Sequence, residues 1–171
     1  LIHWSERDGW AHFYLYDGNG NLKNQMTSGP FHCENIASID EKNRVLYFTA
    51  NGREKGEDPY YLHLYRVNFD GTGLKLLNKD DFNHSVSSND SSRYFIDTFS
   101  RVNTTPMSLL RDNSGNKIVD LETADLSLLF EAGFKYPEPF KVKAADGITD
   151  IYGVMFKPFD FDATKSYPIL A

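Results

Sequence analysis

The groups in this sequence with the means to do chemistry are five histidines, at positions 3, 12, 32, 63 and 84, and the single cysteine, Cys33. A serine nucleophile raised on a sharp strand-to-helix turn needs Gly-x-Ser-x-Gly, and no such run occurs. Gly-rich phosphate loops of either type are also absent. The histidines show no His-x-x-x-His spacing. His32-Cys33-Glu34 sets three metal-ligating residue types in a row. Adjacent residues of a strand point to opposite faces, so the three cannot all reach one ion. A loop with a half-buried cysteine is the expectation there. One cysteine makes neither an internal disulfide nor a Cys-rich metal site, and it leaves the redox compartment open. No residue is assigned a catalytic, cofactor-binding or metal-binding role, and no cofactor is expected.

Three further segments carry concentrated polar groups. Glu6-Arg7-Asp8-Gly9-Trp10 flanks a turn with charge and an aromatic. It reads as a tight interstrand turn with Trp10 packed on the next strand, the alternative being the lining of a substrate channel. Gly52 to Tyr61 is a longer loop of mixed charge, read as solvated, with recognition as the alternative because long loops on rigid scaffolds carry binding. Asn-x-Ser/Thr sequons occur at Asn83, Asn89 and Asn103 and matter only in a eukaryotic secretory protein.

The elements that must position these groups are strands. The 171 residues are enough for about one domain with a sizeable core. Aromatic residues reach 15%, which favours strands over helices. Charged residues are 25% without a charge block, a globular rather than disordered pattern. Lys and Arg number 18 against 24 Asp and Glu, a net charge of −6, which argues against a nucleic-acid surface. No apolar run approaches the roughly 20 residues of a membrane helix.

Three stretches share one layout of apolar strand, polar loop, second strand, Gly-containing turn and closing strand. The first uses residues 2–5, 13–16 and 22–27, turning at Asp17-Gly18-Asn19-Gly20. The second uses residues 45–49, 63–67 and 74–77, turning at Asp70-Gly71-Thr72-Gly73. The third uses residues 93–97, 107–111 and 117–121, turning at Asn113-Ser114-Gly115. Asp-Gly and Asn-Gly suit tight hairpins because they tolerate positive φ. Matching Gly20, Gly73 and Gly115 gives a repeat of roughly 40–50 residues, the spacing of propeller blades. Opening strands at residues 35–40 and 84–88 complete the second and third units. The expected fold is therefore mainly β: antiparallel four-stranded meanders at 35–77 and 84–122 and a partial one at 1–27, about two to three blades of a β-propeller. The expected core includes Tyr47, Leu64, Tyr65, Phe95, Ile96 and Leu109.

After Glu122 the pattern changes. Residues 124–132 read as a short helix or irregular loop, and Pro137 and Pro139 break the chain. Residues 140–144 and 149–157 alternate as strands around an Asp146-Gly147 turn, and Tyr167 is expected to open another strand. A boundary is placed near residues 123–138. Both ends read as cut from something longer, so a targeting segment would lie outside.

These residues carry a resemblance. Trp4-Ser5-Glu6-Arg7-Asp8-Gly9-Trp10-Ala11-His12, with Leu15-Tyr16 and Thr27-Ser28-Gly29, resembles a late propeller blade of the dipeptidyl peptidase IV group, within the prolyl oligopeptidase family of serine peptidases. The run from Gly52 to His63-Leu64-Tyr65-Arg66-Val67 is similar to the next blade in bacterial members. Asp146-Gly147, Tyr152-Gly153, Lys157-Pro158 and Tyr167-Pro168 resemble the entry into that family's catalytic domain. The resemblance implies carboxy-terminal propeller blades over residues 1–125, a linker over 126–138, and the first strands of an α/β-hydrolase domain over 139–171. It implies a parent that releases dipeptides from peptide amino ends, often after Pro or Ala. The parent's triad, oxyanion tyrosine and acidic amine-binding pair would all lie outside these residues.

On that resemblance the chain itself is not an enzyme. It helps to gate peptide substrates and forms the hinge between domains. A homodimeric parent is implied, periplasmic or secreted if bacterial. Rival expectations are another peptidase of the same family, of oligopeptidase or acylaminoacyl type, and a non-catalytic propeller that binds peptides or glycans. Exposed blade faces and strand edges lead to a further expectation, that the chain self-associates.

Overall fold

A computed structural model describes residues 1–170. Within them the chain forms two compact units, residues 1–101 with 106–123, and residues 102–105 with 124 onward.

The first unit is three antiparallel meanders. Strands β1 (Ile2–Ser5), β2 (His12–Tyr16) and β3 (Leu22–Gln25) make the first sheet. Strands β4 (His32–Asp40), β5 (Val45–Asn51), β6 (His63–Asn68) and β7 (Lys75–Leu76) make the second, hydrogen-bonded in chain order. Strands β8 (Asn83–Ser88), β9 (Tyr94–Ser100), β10 (Met107–Asp112) and β11 (Lys117–Thr123) make the third in the same order. This is the expected mainly β architecture of four-stranded meanders.

Burial along the strands shows which sheets are covered. In β5 every residue from Val45 to Ala50 is buried, and in β6 adjacent Leu64 and Tyr65 are both inaccessible. Neighbouring strand residues face opposite sides, so the second sheet is covered on both faces. Phe13 meets Phe48 edge-on at 5.5 Å on one side, and Tyr47 meets Phe95 at 5.0 Å on the other. Strand β9 alternates instead. Phe95, Asp97 and Phe99 point in, while Ile96 is 45% exposed. The expected core therefore loses Ile96: Phe95 and Ile96 are adjacent, and only one face of this sheet is covered within the unit.

The glycine match is corrected as well. The three turns repeat one hydrogen-bond scheme. Gly20 N–H donates to Asp17 O, Gly71 N–H to Asn68 O and Gly115 N–H to Asp112 O. Asp17, Asn68 and Asp112 close the turns with N–H donation to the carbonyls of Asn21, Thr72 and Asn116. The partner of Gly20 and Gly115 is thus Gly71 rather than Gly73, with separations of 51 and 44 residues. The turn has a second duty that explains its glycine. At Gly71 (φ 86°) a Cβ would stand 3.0 Å from Gln25 O, beside β3 of the sheet before. At Gly115 (φ 93°) it would collide with the backbone of Leu77, just past β7. Only glycine allows both the positive φ and the close approach.

The second unit contains α1 (Ser127–Glu131) and a hairpin of β12 (Glu138–Lys143) with β13 (Asp150–Met155). Asp146 caps the hairpin turn by accepting the N–H groups of Ile148 and Thr149. Pro139 lies inside β12 instead of breaking it, which an edge strand permits. Residues 167–170 form no strand. Tyr167 folds back instead, its ring stacked on Phe161 at 5.1 Å and its hydroxyl accepting the Asp162 N–H at 2.9 Å.

Candidate functional site

His32 and Glu34 lie on one side of β4 and pair with each other at 3.0 Å. Cys33 points the other way and is fully buried. Its Sγ lies 3.4 Å from Thr27 Oγ1 and 3.8 Å from His12 Nδ1. Burial pushes this thiol up to about 12 despite the Thr27 bond, so it stays protonated. A thiol without thiolate character is no nucleophile, and Cys33 packs as a small apolar group.

Segment 6–10 is a turn, with Gly9 N–H donating to Glu6 O. Gln25 Nε2 donates to the Asp8 carboxylate at 2.6 Å, and that bond holds Asp8 below the usual carboxylate range. The Arg7 guanidinium lies 4.1 Å from the Tyr14 ring centroid. Trp10 is 46% exposed rather than packed on the next strand. Trp4 makes the cross-sheet contact instead, its Nε1–H donating to Cys33 O at 2.7 Å.

The loop after β5 is tied down more closely than a solvated loop. Arg53 pairs with Glu54, and Glu54 accepts the Tyr65 hydroxyl at 2.9 Å. Burial and then the Glu54 charge push the Tyr65 phenol up. Glu57 reaches His63 Nε2 at 2.7 Å. Of the sequon asparagines, Asn83 uses its Oδ1 to accept the Leu62 N–H, and Asn89 accepts the Ser91 hydroxyl. Asn103 lies in an exposed turn.

The densest polar site was not legible in the motifs. His84 Nδ1 lies 2.8 Å from Asp97 Oδ1, and its Nε2 3.1 Å from Asp80 O. Arg111 Nε donates to Asp97 Oδ2 at 2.7 Å, while its Nη2 reaches Asp80 Oδ2 at 2.9 Å. The His63 ring lies 5.1 Å from that of His84, tilted by 43°, and carries the network from the third sheet to the second. Asp97 is fully buried, and His84 and Arg111 nearly so. Burial works against the Asp97 charge, but His84 and Arg111 outweigh it and hold its carboxyl below the usual range. The one available signal is local. Asp97 falls between Phe95 and Phe99 on the inward phase of an apolar strand, where an unpaired charge would be prohibitive.

A backbone device positions His63. It opens its strand, and its Nδ1 lies 3.2 Å from Asn78 O, while Asn78 Oδ1 accepts the Leu64 N–H. His12 opens β2 in the same way, with Thr27 Oγ1 accepting the Phe13 N–H and lying 3.1 Å from His12 Nδ1. Among the described residues no group of three or more His, Cys, Asp or Glu side chains is arranged to hold a metal ion.

Successive antiparallel meanders, seated turn against strand and joined by buried polar links, make the first unit part of a β-propeller. The chain belongs to the family described as the dipeptidyl peptidase IV (DPP IV) N-terminal region, whose model matches residues 1–106. Among curated relatives, dipeptidyl peptidase 4 of Trichophyton equinum is 26% identical over 97% of this chain, and the probable dipeptidyl peptidase 4 of Aspergillus flavus is 27% identical over 97%. The chain spans about a fifth of their length, 21% in each case. The crystal structure of Porphyromonas gingivalis dipeptidyl peptidase 4 superposes with a TM-score of 0.75 at 23% identity, covering 98% of this chain and 23% of that one. That of a putative dipeptidyl aminopeptidase IV from Bacteroides ovatus gives 0.72 at 26% identity, covering 98% and 26%. No helix among the described residues is long and apolar enough to cross a membrane.

Proposed function

We propose that this chain is the non-catalytic propeller wall of a serine-type dipeptidyl peptidase. The observation that carries the reading is the family match over residues 1–106, on a unit built as propeller meanders. In this reading residues 1–125 are the last blades, 126–138 a linker, and 139–171 the start of an α/β-hydrolase domain. The parent cleaves dipeptides from peptide amino ends, often after Pro or Ala, by acyl transfer through a Ser-His-Asp triad and oxyanion hole. The blades limit access to that centre and support the hinge beside it. A periplasmic or secreted homodimer is part of the same reading.

The test is a pair of assays. The whole protein that contains this chain should release the chromophore from a Gly-Pro amide. Cleavage of an N-acetylated alanine amide in its place would identify an acylaminoacyl-type enzyme, and binding of peptides without turnover a propeller module. The isolated 171 residues should turn over neither substrate. Activity of the isolated chain that is titrated by a serine-directed phosphonate would overturn the assignment.

Self-association belongs to this proposal. Among the described residues strands β12 and β13 pair only with each other, and they expose Phe140, Val142, Ile151, Val154 and Met155. A lone two-stranded hairpin is marginal in water, and open edges recruit further strands. A second copy of the chain should add its own hairpin. Light scattering after size exclusion at micromolar concentration should then report a mass above 19.6 kDa. A monomer at every concentration contradicts it.

A further inference from the structure

We propose that Asn19 is a self-modifying site, at which the folded chain converts a side-chain amide into a carboxylate by way of a cyclic imide. Asn-Gly occurs twice, at Asn19-Gly20 and Asn51-Gly52. In each, the glycine backbone nitrogen is the nucleophile and the asparagine Cγ the electrophile, and glycine has no side chain to obstruct the approach. The N–Cγ bond forms and the Cγ–Nδ2 bond breaks. The amide nitrogen leaves as ammonia, carrying off the proton that the glycine nitrogen gives up. Water then opens the imide ring, its hydroxyl going to one of the two carbonyl carbons and its proton to the ring nitrogen. Opening at Cγ leaves aspartate. Opening at the main-chain carbonyl carbon leaves isoaspartate, with the backbone rerouted through the side chain. Water is the only co-reactant.

The fold separates these two chemically equal sites. Ring closure rotates the asparagine peptide about its Cα–C bond. Asn19 and Gly20 are exposed at the tip of the β2–β3 hairpin. The Asp17 carboxylate accepts the N–H groups of Asn19 and Asn21, both at 2.9 Å, and so fixes the turn on either side. Between them, Gly20 N–H reaches Asp17 O at 3.3 Å, longer than the matching 2.9 Å at Gly71 and 3.0 Å at Gly115. A Cβ at Gly20 would meet nothing within 4 Å, whereas at Gly71 and Gly115 the preceding sheet stands against the turn. Glycine also accepts the compensating change in φ. The 19–20 peptide can therefore flip while its neighbours stay in place. Asn51 is half-buried at the end of β5 and paired with His32 of β4. Its peptide turns only after that pairing opens, and an opening cost of only ~1.4 kcal/mol slows the reaction tenfold.

The other two turns show what the products do. The residue before the turn glycine is Asp70 in the second turn and Ser114 in the third. Asp70 accepts the Thr72 N–H at 2.9 Å, so an aspartate fits this position. Isoaspartate adds a carbon to the main chain between Asp17 and Gly20 and strains the bond that joins them. Either product adds one negative charge to the net −6.

The test is to incubate the purified chain at mildly alkaline pH and map its peptides by mass spectrometry at intervals. The Asn19 peptide should gain acid at least about tenfold faster than the Asn51 peptide. Part of that acid should be isoaspartate, which an isoaspartyl methyltransferase labels. The chain unfolded in guanidinium should convert both sites at comparable rates, since no fold then distinguishes them. Asn19→Ser, which places there the residue type of the third turn, should remove the fast conversion. Equal rates at the two sites in the folded chain overturn the proposal. So does an Asn19 that stays an amide over the time in which the unfolded chain converts, or fast acid formation that persists in Asn19→Ser.

Discussion

Asp97→Asn will destabilise the folded chain by about 3–5 kcal/mol, the cost typical of removing one partner from a buried ion network. Asp97 is inaccessible and lies between the His84 ring and the Arg111 guanidinium. Asparagine keeps the shape and supplies no charge, so the buried Arg111 guanidinium loses its buried counter-charge and is left with the half-exposed Asp80 carboxylate. A urea titration should show a lower midpoint with an unchanged slope, the signature of lost stability rather than altered compactness. The acid side carries a second check. Because the Asp97 carboxyl is held below the usual range, its contribution is complete above about pH 4, the ordinary carboxylate value, and disappears as pH falls through the lowered one. The variant should lack that acid-sensitive step. Asp80→Asn is the control. Its side chain is about half exposed, and solvent screening should keep the cost under about 1 kcal/mol. Equal costs for the two substitutions would contradict the assignment of Asp97 as the centre of the network.

Phe48→Ala should cost about 3–5 kcal/mol by a different mechanism, a cavity between the first and second sheets. The Phe48 ring is inaccessible, edge-on to Phe13 at 5.5 Å and stacked on Tyr65 at 5.7 Å. Sheet backbones cannot close around the void without breaking their ladders, so little of the loss is recovered. Ile96→Ala, at a position 45% exposed, should change stability by less than about 1 kcal/mol. Thermal and denaturant unfolding of the two variants checks the contrast. A cost below 1 kcal/mol for Phe48→Ala would mean that the two sheets do not share this core.

The strands were legible because their signals are local. Val45 to Phe48 is a continuous apolar run, and Asp17-Gly18-Asn19-Gly20 is hairpin chemistry within four residues. The core was legible where both faces of a sheet are buried, as at Leu64 and Tyr65, and misread at Ile96 where one face is open. Gly71 was harder to separate from Gly73, since both have positive φ and only the hydrogen-bond scheme tells them apart. Tyr167 has strand-like neighbours, but its hydroxyl is committed to a turn five residues earlier. The charge network was hidden for a physical reason. Asp80, Asp97 and Arg111 are separated by 14 to 31 residues, and a charge in a strand reads as solvent-facing until its partners are known. The scattered histidines fit no metal or catalytic spacing; His12, His32 and His63 open strands and His3 and His84 stand second in theirs, so their meaning depends on the sheet beside them.

The turn seats at Gly71 and Gly115 have a direction in time. Each presses on chain that precedes it: the 68–72 turn on Gln25 and Met26, the 112–116 turn on Leu77. The supporting bonds run the same way, with Asn24 Nδ2 donating to Phe69 O and Lys75 Nζ to Ser114 O. On a ribosome adding about 5–20 residues per second, some seconds separate one turn from the next. A hairpin forms in about 1–10 μs. Every new sheet of this unit therefore emerges opposite a finished one whose docking strand is already in place. Construction proceeds like courses of masonry, each laid on the one below, and neither of these two seats has to be held open for chain not yet made.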